Sequence, residues 1–361
     1  MGWPTPQFTK QQVNRAGAIL VSGEGDIGWA EAVLGNWRAC HGYPMNTFQA
    51  TLRHKLKSID AKALVAQRLK RTPSIVNKLR RFDTMKLARM QDIGGLRAVV
   101  TTISKLRALE DAYTARSRFD HELTNTKNYV EQPKPDGYRS IHLVYRYKNK
   151  NAAAYNGLLL ELQLRTKLQH AWATAVETMG TFLGQALKSK EGDHDWLEFF
   201  AVAGAAFAHL ERCPPIPGYE ELSRRETFER VAAAESELSV LDKLKGFAVA
   251  AQAITRKKSG AFHLVVLHSQ NKTVTVEGFP RRDLQEAVNR YAVWEARQRG
   301  GERVEAVLVS AGPVESLRNA YPNYFLDAAD FVKRVQRIIR TVRNGTTVRP
   351  ATARLRRNRG G

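Results

Sequence analysis

Cysteine is almost missing from this chain: Cys40 and Cys213 are its only two in 361 residues. They lie far apart without C-x-x-C spacing, which supports neither a disulfide framework nor a zinc site. No apolar run reaches the roughly 20 residues of a membrane span, and Met1 to Pro6 lacks the charged and then apolar pattern of a secretory signal. A cytoplasmic location without a membrane partner is therefore expected. Acids are scarce as well, with 35 Asp and Glu against 57 Lys and Arg and a formal net charge of +22. Such an excess favours phosphate-bearing ligands over acidic-surface or disordered acidic functions. The 43% of hydrophobic residues suffices for a globular protein with two or three cores.

The few acids matter because of where they stand. Glu161, Gln163 and Arg165 are spaced by two in a leucine-rich run, so in a strand they share one face while Leu162 and Leu164 point into a core. Upstream, Gln91 to Arg97 runs into Leu96 to Thr101, a short strand with Asp92 and Arg97 at its start. Before it, Arg68 to Arg81 reads as a helix with Pro73 and Ser74 near its beginning and Ile75, Val76 and Leu79 on the buried side. Arg68, Lys70, Arg71 and Lys78 would cluster on that helix, where the N-terminal dipole favours anions. Gly137 to His142 adds an aromatic and further cations. Two isolated carboxylates among many cations are what magnesium-bridged polyphosphate requires. Each element alone has an ordinary reading, as a strand-edge acid or a solvated helix face.

In order along the chain, these segments resemble the motifs of the RelA/SpoT-type alarmone synthetases. The resemblance covers about residues 60 to 182: Arg68, Lys70, Ser74 and Lys78; Asp92, Gly95 and Arg97; Pro133 to His142; Glu161 to Thr166; and a closing helix from His170 to Glu177. It implies transfer of pyrophosphate from ATP to the 3′-hydroxyl of GDP or GTP, with AMP released and Mg2+ as cofactor. By the same resemblance Asp92 holds the metal, and Glu161 is a second ligand or the general base. Arg68, Lys70, Ser74, Lys78 and Arg97 bind ATP. Lys134, Tyr138, Arg139, His142, Gln163, Arg165 and an inward Glu177 line the acceptor side, with Tyr138 stacked on guanine. Asparagine is frequent in the family where this chain has Asp136. That departure, with the basic charge, leaves a toxin-like transfer to the 3′ end of tRNA as a second reading. A noncatalytic RNA- or nucleotide-binding module is a third, disfavoured by the intact acid pair.

The expected fold is α+β: a mixed sheet flanked by helices as in nucleotidyltransferase-like synthetases, with helical extensions and a small C-terminal α+β domain. The expected boundaries are a helical extension over 1–58, the synthetase domain over 59–212, a helical connector over 213–258, the C-terminal domain over 259–343 and a basic tail over 344–361. In the C-terminal domain, Phe262 to His268 and Thr273 to Glu277 flank a turn as a hairpin, Arg282 to Arg297 is an amphipathic helix, Glu305 to Ser310 a strand, and Asn323 to Ile339 a helix. This ββαβα unit carries no reactive cluster and reads as regulatory or partner-binding. His194 and Asp195 read as a surface turn rather than a hydrolase HD step. From Lys333 to Gly361 there are ten Lys and Arg and no acid, a tail expected to be disordered beyond about Arg343 and suited to RNA or an acidic partner. A homo-oligomer is compatible with the sequence.

Overall fold

The computed structural model describes residues 3–70, 72–115, 119–183, 193–257, 260–268, 270–271, 273–302, 304–310 and 324–345. Three helices come first: α1 (Lys10–Ser22), α2 (Ile27–Ala39) and α3 (Gly42–Ile59). Thr9 starts α1 with a reciprocal capping box to Gln12, and Gly23, at φ +78°, closes it in the left-handed region. Asp26 then accepts from the Trp29 N–H to start α2.

Next come β1 (Leu64–Leu69), α4 (Thr72–Arg81), β2 (Gly94–Val100), α5 (Ile103–Thr114), β3 (Glu122–Asn128), β4 (Ile141–Arg146) and β5 (Leu159–Thr166). The strands form one mixed sheet in the order β1-β2-β5-β4-β3. Its β2 and β5 run parallel and its other pairs antiparallel. One face is apolar: Leu96, Ala98, Leu143, Leu160, Leu162 and Leu164 join Met45, Phe48 and Leu52 of α3 and Leu106 and Leu109 of α5 in a single buried cluster. The opposite face carries the polar residues, so the sheet separates core from site by strand alternation alone.

Four helices follow, α6 (Lys167–Leu183), α7 (Asp193–Glu211), α8 (Arg224–Leu238) and α9 (Val240–Lys257), and then β6 (Phe262–His268), β7 (Thr273–Phe279), α10 (Leu284–Arg299), β8 (Val304–Ser310) and α11 (Tyr324–Gly345). The last three strands form an antiparallel sheet in the order β7-β6-β8. Its face bearing Val265, Leu267, Val307 and Val309 shares one apolar cluster with α6, α7, α8, α9 and α11. Phe331 of α11 is fully buried there, with the rings of Phe199, Phe200 and Phe207 at 5.5–6.5 Å.

Against the expectations, the α+β class, the mixed sheet and the ββαβα order are all present. Four points differ. Arg68 and Lys70 are not on a helix: β1 runs to Leu69, and the helix begins only at Thr72. Residues 1–58 are not a mere extension, because α1, α2 and α3 complete the core of the first sheet. The boundary expected near residue 258 falls inside one continuous core, which explains why the ββαβα unit has apolar residues on its inner face. His194 and Asp195 lie in the first turn of α7, not in a turn between elements. The tail beyond residue 345 lies outside the described residues.

Candidate functional site

The polar face is organised in rows, since residues paired across neighbouring strands point to the same side. In one row Arg68 pairs with Gly95 and Gly95 with Glu161; in the next, Arg97 pairs with Gln163 and Gln163 with His142. Gly95 has no side chain, so the row is open between Arg68 and Glu161. A Cβ there would meet only ordinary contacts, 3.7 Å from the Glu161 carbonyl oxygen and 3.9 Å from that of Arg68. Asp92 lies two residues ahead of β2, and Glu161 lies near the start of parallel β5, which brings both acids to the same end of the sheet.

Asp92 is held by two ammonium groups, Lys70 Nζ at 2.8 Å and Lys78 Nζ at 2.9 Å, one on each carboxylate oxygen. Burial pushes its carboxyl up, but the two lysines outweigh that and hold it below the usual carboxylate range. Lys70 is fixed by an extension of the β1–β2 ladder, Lys70 N–H to the Ile93 oxygen, and by Arg38 Nε donating to the Lys70 oxygen at 2.8 Å. Nothing in the sequence marks Arg38 for this contact. Ser74 is half-buried in the first turn of α4, and Arg68 and Arg97 are half-buried on their strands.

Glu161 is the centre of a second cluster. Its Oε1 is 2.8 Å from His142 Nδ1, and its Oε2 accepts from Gln163 Nε2 at 2.8 Å. Burial again works upward, yet the bonds from His142 and Gln163 prevail and the carboxyl lies below its ordinary value, so Glu161 is ionised at neutral pH. His142 Nε2 is 2.8 Å from the Tyr138 hydroxyl, to which Arg165 Nη2 donates at 2.7 Å. Tyr138 is thus brought to Glu161 through His142, and Gln163 and Arg165 lie beside it as the alternation predicts. Lys134 Nζ lies 5.2 Å from the centre of the Tyr138 ring and 4.7 Å from that of Tyr129. Tyr129, which the motif reading missed, packs edge-on against both Tyr138 and His142.

The loop from Pro133 to His142 is built by a tight turn. Gly137 N–H donates to the Lys134 oxygen, Gly137 takes φ +90°, and Asp136 Oδ1 accepts from the Tyr138 N–H at 2.9 Å. An aspartate serves that turn as asparagine would, because only a side-chain acceptor is needed. The loop is clamped from α7. Gly137 and Gly204 meet backbone to backbone, and beside that contact Trp172 of α6 donates its Nε1–H to the Phe200 oxygen of α7 at 2.8 Å.

Two expected acceptor-side residues are placed elsewhere. Arg139, 3% exposed, does not join the Glu161 cluster; it forms an ion pair at 2.8 Å with Glu211, the last residue of α7. Glu211 also accepts from Thr166 and Gln169, tying α7 to the junction of β5 and α6. Glu177 is exposed on α6 rather than inward, since its neighbours Ala175, Thr178 and Met179 take the buried side. Alternation predicts that Arg139 and Tyr138 point apart; the position of a helix about 70 residues later could not be read locally.

The fit of a magnesium ion rests on the donor set. Two ionised carboxylates lie at one end of the sheet, close enough for the Asp92 charge to act on Glu161, and Mg2+ is bound by one or two carboxylates when phosphates complete its shell. Among the described residues no group of three or more His, Cys, Asp and Glu could hold a metal without such phosphates. No helix among the described residues is long and apolar enough to cross a membrane.

Residues 67–180 match the family described as a region found in RelA/SpoT proteins. The GTP pyrophosphokinase YjbM of Bacillus subtilis is 32% identical over 112 residues, 30% of this chain and 52% of the relative, and YwaC of the same organism is 30% identical over the same shares. An Escherichia coli K12 GTP pyrophosphokinase is 30% identical over 171 residues, 46% of this chain and 19% of its own length. Among solved structures, the small alarmone synthetase 1 of Bacillus subtilis is 26% identical, with 47% of this chain and 90% of that one covered and a TM-score of 0.38. The chain spans about half the length of the Bacillus relatives it matches. The matched segment holds Asp92, Glu161 and the cations and aromatics around them.

Proposed function

We propose that this chain is a GTP pyrophosphokinase-like enzyme that moves pyrophosphate from ATP to the 3′-hydroxyl of GDP or GTP and releases AMP. One observation carries the reading: two ionised carboxylates at one end of a sheet, with Arg68, Lys70, Lys78 and Arg97 on one side and Tyr138, His142, Gln163 and Arg165 on the other. The cation side suits ATP. The aromatic side suits a guanine nucleotide stacked on Tyr138. The relatives named GTP pyrophosphokinase support the same chemistry.

The steps follow from what these side chains hold. Arg68 and Arg97 orient the ATP phosphates, and Lys70 and Lys78 exchange Asp92 for polyphosphate oxygens. Asp92, with Glu161 nearby, would hold Mg2+, which supplies charge neutralisation on the phosphates. Glu161 takes the proton of the 3′-hydroxyl, whose oxygen bonds to the β-phosphorus as the bond from that phosphorus to the α–β bridging oxygen breaks. AMP leaves with that oxygen. The reaction needs positioning and charge stabilisation more than covalent help.

A second reading has an observation of its own. Lys333, Arg334, Arg337 and Arg340 are exposed along α11, a face suited to a polyanion, and transfer to the 3′ end of tRNA would use the same acids. Incubation with ATP labelled in its β-phosphate and with GDP, GTP or tRNA separates the two. Label in GDP or GTP is expected. The variants Glu161→Gln and Asp92→Asn should stay folded and lose at least about a hundredfold in turnover. Near-normal transfer by either variant removes that residue from the mechanism, and label in tRNA alone replaces the acceptor.

A further inference from the structure

Five side chains of the site close a ring of hydrogen bonds. Arg165 Nη2 donates to the Tyr138 hydroxyl at 2.7 Å and to Gln163 Oε1 at 3.3 Å. Gln163 Nε2 donates to Glu161 Oε2, and His142 bridges from Tyr138 to Glu161 Oε1, each at 2.8 Å. His142 and Glu161 each have only 15% of their side-chain surface exposed. Arginine can only donate, so the Tyr138 oxygen accepts from it, and the hydroxyl proton is left to point at His142 Nε2. With the hydroxyl so directed, Nε2 is the bare nitrogen. The ring's other nitrogen, Nδ1, carries the hydrogen that meets the glutamate.

We propose that the Tyr138 hydroxyl is a positioning group for Glu161, acting through His142, so that one tyrosine both stacks on the acceptor base and sets the direction of the carboxylate that receives the acceptor's proton. The inference rests on the functional reading above and deepens it. Tyr138 enters the ring of hydrogen bonds through its hydroxyl, while Lys134 Nζ and the Arg165 guanidinium each lie 5.2 Å from the centre of its aromatic ring. Tyr129 supports the arrangement by packing edge-on against both rings, 5.8 Å from Tyr138 and 5.4 Å from His142. Without the hydroxyl, His142 Nε2 loses its hydrogen-bond partner, and the imidazole can turn away from Glu161 Oε1.

The test uses Tyr138→Phe, which keeps the ring and removes only the hydroxyl, in the wild-type and in a His142→Asn background. The asparagine amide keeps a donor near the place of Nδ1 but has nothing where Nε2 stood. Tyr138→Phe is expected to lower kcat about tenfold, the scale of one lost hydrogen bond, with the acceptor KM changed less than about twofold. In the His142→Asn background the same substitution should have no further effect on kcat. A normal kcat in Tyr138→Phe, a rise in acceptor KM alone, or an equal loss of kcat in both backgrounds overturns the proposal. Nitrogen-15 NMR of His142 gives an answer that does not depend on activity: the full chain should show one Nδ1–H form, and Tyr138→Phe a mixture. An unchanged spectrum in the variant overturns the positioning role even if no nucleotide accepts pyrophosphate, whereas failed transfer with the expected spectra overturns only the functional reading.

Discussion

Gly204→Ala sets two physical effects of opposite sign against each other at one atom. In a helix interior, alanine is favoured over glycine by about 1 kcal/mol, so propensity alone predicts a more stable protein. A Cβ on Gly204, however, would lie 2.7 Å from Gly137 Cα and 2.8 Å from the Gly137 oxygen. Carbon atoms in contact rest at roughly 3.5–4.0 Å, so the loop must retreat by about 1 Å. No side chain can swing aside, because both atoms belong to the backbone. Overpacking of this kind costs about 1–3 kcal/mol, so the net change expected is destabilising by up to about 2 kcal/mol. The displaced loop carries Tyr138, and a 1 Å error in positioning can cost about a hundredfold in rate. Gly180→Ala is the matched control: Gly180 lies exposed in α6 with nothing within 4 Å of where a Cβ would stand, so it should gain about the full propensity difference. Urea titration of both variants and steady-state transfer assays measure the contrast. A Gly204→Ala protein as stable and as active as the wild type would refute the argument that α7 sets the loop.

The remaining predictions concern pairing, acid and charge. Glu211→Gln leaves the buried Arg139 guanidinium without its counter-charge and should destabilise by about 3–5 kcal/mol, read from the denaturant midpoint; a loss below about 1 kcal/mol would mean that the pair does not tie α7 to the loop. Asp60, buried after α3, is pushed up by burial but held down to about 2 by the Thr101 N–H and hydroxyl, the Lys105 ammonium and the Lys62 N–H. Because its folded value lies below the ordinary one, its contribution is present above the ordinary carboxylate range and lost as pH falls through about 2. Asp60→Asn should therefore flatten the fall in stability with acid over that window, and an unchanged pH profile would count against it. Deleting Val348 to Gly361 removes five arginines and should leave transfer to GDP or GTP near normal. Strong dependence of that transfer on the tail, or tRNA labelling that the deletion abolishes, would favour the nucleic-acid acceptor.

The local chemistry of the site was legible in the sequence. Alternation put Glu161, Gln163 and Arg165 on one face and leucines on the other, and this needs only the twofold period of a strand. The β6–β7 hairpin and α10 were equally local, fixed by turn residues and amphipathic spacing. The sheet decided what local pattern could not. Arg68 belongs to a strand, with Lys70 just past its end, because β1 finds β2 as an antiparallel partner, a pairing that overrides the helical spacing of the basic run. The ring through Arg165, Tyr138, His142 and Glu161 closes only when β4 and β5 are in register. Arg139 follows Tyr138 in sequence, yet its partner is Glu211, and Gly137 is held by Gly204. These contacts join residues tens of positions apart, where no period or motif spacing carries information. The sequence by itself determined which residues could do chemistry and which face they share; tertiary packing decided which of them meet, because burial lets a helix outside residues 67–180 position the loop inside them.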